Sequence, residues 1–184
     1  LVPSAIATGE GILLSGIPMV YAPGVGNTSP FYIDRFEVTG NAWATCASLG
    51  ACQPAPGGAG TIPVSGVTFT AAQAYCQWRG ARLPSDAEWD FAARYDPATG
   101  LYRLYPWGDE WDAARANSAS MDGTDGLAPV GSFPRGASPV GALDMAGNIA
   151  EWTASGSLRG GSWASPVAWL RGDAAGGAYS AAEA

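Results

Sequence analysis

The apolar positions of this chain follow a helical period in three places and alternate only briefly elsewhere. Thr39 is placed to cap a helix running to about Leu49, with Gly50 as its stop. From Thr70 the spacing to Gln73 has the form of a capping box. Ala71, Ala74, Tyr75 and Trp78 then recur at helical intervals, and Gly80 is the expected left-handed terminator. Ser85 and Glu88 form a second capping-box spacing, followed by an apolar face of Trp89, Ala92 and Ala93. Strand-like runs are short: Pro18–Tyr21, Phe31–Asp34, Phe36–Thr39 and Leu158–Trp163. Residues 54–60 (PAPGGAG) read as a loop. From Tyr95 to Asp144 neither period is sustained. So long an irregular stretch inside a domain needs internal ties, and this one carries Asp109, Asp112, Asn117, Asp122, Asp125 and Asp144.

Composition narrows the class. At 184 residues with 47% apolar residues and eight Trp, the chain suits a single packed domain over 1–184. Its 26 Gly and 14 Pro imply much irregular backbone. The net charge is −7, and every basic residue is Arg. An acidic domain without a basic cluster argues against nucleic acid as a partner and against an anionic membrane surface. The lack of Lys points to a GC-rich, prokaryotic genome. No run of 18 apolar residues occurs, so no membrane insertion is expected. The apolar opening 1–20 lacks a basic flank and does not read as a signal peptide; the compartment stays open. With no His, Ser-His-Asp catalysis and His-ligated zinc or iron are excluded. The cysteines are Cys46, Cys52 and Cys76. Cys46 and Cys52 could close a small loop, or all three could be reduced, with Cys76 serving as a small buried hydrophobe.

Several motifs coincide along the chain: FYIDRFEVT (31–39), AAQAYCQWRGARLPSDAEWDFAAR (71–94), YPWGDEW (105–111), AN (116–117), APVGSF (128–133), DMAGNIAEWT (144–153) and LRGGSW (158–163). In order and spacing they resemble the formylglycine-generating enzyme (sulfatase-modifying factor) family from about Met19 to Trp163. The resemblance implies an α+β, C-type-lectin-like fold with small twisted antiparallel sheets, two to three helices and long ordered loops. It also implies two structural calcium ions. The first would use the Asn117 and Asp125 side chains with the Ser118 and Leu127 carbonyls. The second would use the Asp144 and Glu151 side chains with the Gly147 and Ile149 carbonyls. Such mixed hard-oxygen sets are what calcium selects. Without the resemblance, Asp144 and Asn117 could equally be turn-capping residues.

The same resemblance exposes a gap. Formylglycine-generating enzymes carry two reactive, copper-binding cysteines just after Gly-Gly-Ser, where this chain has ASPVAWLRGD (164–173). Related sulfoxide synthases use a three-His iron site, and this chain has no His. Neither copper nor iron is therefore expected, and no catalytic residues are assigned. The sequence beyond Trp163 is instead similar to the C-terminal region varied in C-type-lectin-like variable proteins of diversity-generating retroelements. On that resemblance, 164–184 is a variable ligand-binding region with Ala164, Ser165, Val167, Ala168, Trp169, Gly172, Asp173 and Tyr179 facing solvent toward a protein or surface ligand. Arg159, Gly160, Gly161 and Ser162 would be structural. Trp89, Trp152 and Trp163 are expected to be largely buried. The family's closing Gly-Phe-Arg strand is not found before Ala184. The alternatives are a formylglycine-generating-type oxidase and a structural module of a larger sensor.

Overall fold

A computed structural model describes residues 17–119 and 126–174, together with the strand Val2–Pro3. In chain order the strands are β1 (Val2–Pro3), β2 (Met19–Ala22), β3 (Phe31–Asp34), β4 (Ala81–Arg82), β5 (Tyr95–Asp96), β6 (Leu101–Tyr102), β7 (Glu151–Trp152) and β8 (Leu158–Arg159). They pair antiparallel as β1–β4, β2–β3, β5–β6 and β7–β8. Three helices are interleaved: α1 (Gly40–Ser48), α2 (Phe69–Trp78) and α3 (Asp86–Arg94). The architecture is α+β, with more loop than regular element.

Each helix begins where a hydroxyl satisfies an orphan amide. Thr39 accepts from Ala42 N, and Ser85 and Glu88 complete the expected capping box of α3. In α2 the cap is Thr68, which accepts from Ala71 N, so the helix starts before the predicted Thr70. Starting there lets Phe69 meet Trp152 edge to face. The predicted strand 36–39 does not form: Val38 and Thr39 make only single contacts with Val64 and Pro63, while Glu37 turns inward. The strand predicted over 158–163 stops after Arg159, because Gly160 and Gly161 adopt left-handed backbone (φ 86° and 74°).

Of four buried apolar clusters among the described residues, the two larger are packing centres that join the sheets and helices. β2 and β3 lay Ala22, Phe31 and Ile33 against Trp89, Phe91 and Ala92 of α3 and Met145. α1 and α2 join through Trp43 stacked on Tyr75, beside a Cys46–Cys52 disulfide. Cys76 is free and buried, and burial pushes its thiol up to about 11. Between the centres lies a buried ion pair: Arg79 Nη1 and Nη2 donate to Asp34 at 2.6 and 2.9 Å. Of the three Trp expected inside, Trp89 is buried; Trp152 and Trp163 are only half-buried. The Trp152 indole donates to Val67 O at 3.1 Å and its ring meets Phe69 edge to face, while part of the side chain stays exposed.

Candidate metal centre and C-terminal face

The loops that lack a period are tied by polar side chains. Glu37, just after β3, reaches across to 148–149: Oε2 accepts from Asn148 Nδ2 at 2.6 Å and Oε1 from Ile149 N at 3.0 Å. Asn148 Oδ1 in turn accepts from Asn117 Nδ2 and Ala128 N. The backbone adds Asn148 N to Asn117 O and Gly147 N to Gly160 O. Gly147 (φ 80°) passes so close to the Asn117 carbonyl that any Cβ would overlap it. Asn148 itself is non-glycine in left-handed backbone (φ 58°), as is Asp144 (φ 62°).

This knot places three carboxylates within mutual electrostatic range: Glu37, Asp144 and Glu151. Asp144 Oδ2 accepts from Gly131 N, and Glu151 Oε2 accepts from Trp89 Nε1, both short bonds. Burial pushes the Asp144 carboxyl up to about 6. Part of Glu151 reaches solvent, but its carboxylate is packed round by protein, and loss of hydration pushes it up to about 7. Glu37 is raised well above the ordinary carboxylate range, by burial first and then by Asp144 and Glu151. Asp144 and Glu151 each keep one oxygen outside the hydrogen bonds just described, so the donor set fits a hard cation in kind. No cluster of three acidic, Cys or His ligands at metal-binding distance occurs among the described residues. Asn117 and Ser118 of the first predicted site are buried. The Asn117 amide nitrogen is spent on Gly126 O and Asn148 Oδ1. Asp125 lies outside the described residues.

Sequence reasoning missed Glu37 and Asn148. The signal was an acid inside the apolar run FYIDRFEVT, where burial demands a partner. Glu37, Glu151 and Tyr75 also line an interior cavity of about 90 Å³ with Trp43, Ile149 and Trp152. Among the described residues the Tyr75 hydroxyl has no hydrogen-bond partner at normal geometry, and burial pushes it up to about 12.

The 164–173 segment folds over the turn 104–111. Leu170 is buried with Tyr105, Ala116 and Ala146, and Val167, Trp107 and Trp111 pack against them. Of the residues expected to face solvent, Ala164, Ala168, Trp169 and Asp173 do so. Three do not conform. Ser165 is buried, its hydroxyl accepting from Ser162 N at 2.9 Å. Gly172 is buried against Arg94, and Val167 is half-buried. Tyr179 lies outside the described residues. Arg171 pairs with Asp173 at 2.8 Å. An open cleft of about 340 Å³ runs beside this segment, lined by Asp86, Asp90, Arg94, Arg159, Gly172 and Asp173. The predicted structural stretch conforms: Gly160, Gly161 and Ser162 are buried, and Arg159 pairs with Asp86.

A short-stranded α+β domain whose long loops are knotted by buried acids and amides defines a C-type-lectin-like scaffold. The chain belongs to the sulfatase-modifying factor family: residues 21–184 match the model of the "Sulfatase-modifying factor enzyme 1-like domain". A solved structure, Treponema denticola variable protein 1, superposes with a TM-score of 0.67 at 20% identity, covering 90% of this chain and 91% of that one. Hercynine oxygenase of Mycolicibacterium thermoresistibile is 50% identical over 95 residues, 50% of this chain and 21% of that protein. The inactive C-alpha-formylglycine-generating enzyme 2 of Bos taurus is 39% identical over 135 residues, 60% of this chain and 43% of that protein. The chain thus spans less than half the length of these two relatives.

Proposed function

We propose that this domain is a non-catalytic ligand-binding protein of the variable-protein type made by diversity-generating retroelements. In this reading it displays the residues after Trp163 on a calcium-tied scaffold. The observation that carries it is the division of 164–173: Ser165 and Leu170 anchor the segment inward, while Ala164, Ala168, Trp169 and Asp173 stand outward. A rigid base with replaceable outward side chains is what recognition by variation requires. Trp169 is an aromatic of the kind that dominates binding energies. The likeness to Treponema denticola variable protein 1 extends over nearly all of both chains and supports the reading. Against catalysis stand the cysteine-free 164–173 and the absence of His, which remove the ligands of both oxidative chemistries that the family resemblance implies. Calcium would be held by Asp144 and Glu151 with the Gly147 and Ile149 carbonyls. Its charge would offset three buried carboxylates, a structural role.

The test is a library randomised at Ala164, Ala168, Trp169 and Asp173. Most clones should keep the parental melting temperature within about 3 °C, since exposed substitutions are near neutral, and binders to unrelated proteins should be recoverable. Loss of folding in most clones overturns the display reading. At the gene level, an adjacent reverse transcriptase with a repeat of the 164–179 coding sequence is expected; a locus without them removes the retroelement part.

A further inference from the structure

Arg94, the last residue of α3, links its own helix, the end of β6 and the C-terminal segment. Its Nε and Nη2 donate to Asp90 one turn back, the latter at 3.0 Å. Its Nη1 donates to Arg103 O at 3.1 Å, just beyond β6. Its guanidinium lies 4.9 Å over the Tyr102 ring. Its aliphatic stem lies on Gly172: a Cβ built there would overlap Arg94 Cδ and stand 2.7 Å from Nε. Gly172 is fixed a second time, its N–H donating to Leu104 O at 3.0 Å. Nothing in its backbone calls for glycine, since Gly172 is not among the residues of positive φ. The nearest atoms a side chain there would meet are those of the Arg94 stem, which would have to shift to admit it. On either side of this contact Arg171 and Asp173 hydrogen-bond to each other, and Gly172 holds this end of the segment to Leu104.

We propose that Arg94 is the positioning residue of the C-terminal segment, clamping Gly172 against Leu104, and that position 172 governs where the segment sits without offering a contact of its own. The consequence for specificity rests on the display reading above: any side chain at 172 lifts Arg94 from Asp90. That frees a carboxylate into the cleft beside Asp173 and moves the neighbouring outward residues together. Residue 172 is then a shape and charge selector for the cleft, distinct from positions such as 169 that meet a partner directly.

Two measurements on the intact chain test the clamp without any ligand. The first is a thermal-unfolding cycle of wild type, Gly172→Ala, Arg94→Ala and the double variant. Gly172→Ala should lower the melting temperature by about 3 °C in wild type. In the Arg94→Ala background it should have almost no effect, because the overlapped atoms are gone. The second is limited trypsin digestion followed by mass spectrometry. Cleavage after Arg171 should quicken about tenfold in both single variants, while cleavage after Arg135 stays at the wild-type rate. Gly172→Ala leaves the sequence of α3 unchanged, so its digest stays readable if Arg94→Ala unfolds. Equal, additive costs in the cycle, or an unchanged rate at Arg171 in Gly172→Ala, overturn the clamp. A positive cycle with a display library that fails to fold would keep the clamp and discard the display reading.

Discussion

Three acids with buried carboxyls lie within electrostatic range of one another at the loop knot. Glu37, Asp144 and Glu151 all have carboxyls pushed upward, foremost by burial. An acid whose folded value lies above its unfolded value binds more protons when folded, so its contribution to stability falls as pH rises through that interval. For Asp144 and Glu151 the interval runs from the ordinary carboxylate range up to about 6 and about 7. In chelator, the melting temperature should therefore rise as pH is lowered from 7.5 to 5.5. Calcium should raise it at pH 7.5 by binding the native state alone, and should flatten the pH profile. Glu151→Ala should remove most of the calcium response. A melting curve indifferent to chelator and calcium at every pH would end the metal reading. At the Arg79–Asp34 pair the expectation differs: Asp34→Ala strands a buried guanidinium and should cost about 3–5 kcal/mol in denaturant unfolding.

Among the elements, what was legible in the sequence was what local chemistry decides. The Ser85–Glu88 box named the start of α3, and Phe31–Asp34 is a strand because all four residues bury against neighbours. Legibility failed where tertiary contacts chose between local equals. Thr68 and Thr70 both offer a hydroxyl, and the contact of Phe69 with Trp152 accompanies the choice of Thr68. The run 36–39 alternates like a strand, yet Glu37 answers to Asn148, a residue 111 positions away. Ser165 and Gly172 looked exposed because small residues carry no hydrophobic signal, and only the fold shows what covers them. The Cys46–Cys52 bond, an open alternative in the sequence, ties the end of α1 to the following loop. Replacing both cysteines by Ser should cost about 2 kcal/mol by the loop-entropy estimate for so short a ring. Equilibrium urea unfolding checks this, and an unchanged midpoint would show the bond to be dispensable.

For the molecule as a whole, family membership and fold were readable from motif order, whereas the proposed lack of oxidase activity rests on what fills one stretch of the sequence. With 164–173 free of cysteine, the purified domain should leave the thiol of a sulfatase-type peptide unchanged in the presence of copper and oxygen. Conversion of that cysteine to an aldehyde, seen by mass spectrometry, would show a catalytic centre that these residues do not supply.

The knot also has a bearing on heredity. The side chains that hold the loops, Glu37, Asn117 and Asn148, and the carbonyls they serve all precede Trp163 in the chain. A mutational process confined to the codons after 163 can reach the outward residues without touching any of them. Among the described residues of that window, the inward positions are Ser165, Leu170 and Gly172. On the display reading proposed above, the share of unfolded offspring in each round of variation would be set by a handful of codons, and new surfaces could be sampled at high error rates on the same inherited fold.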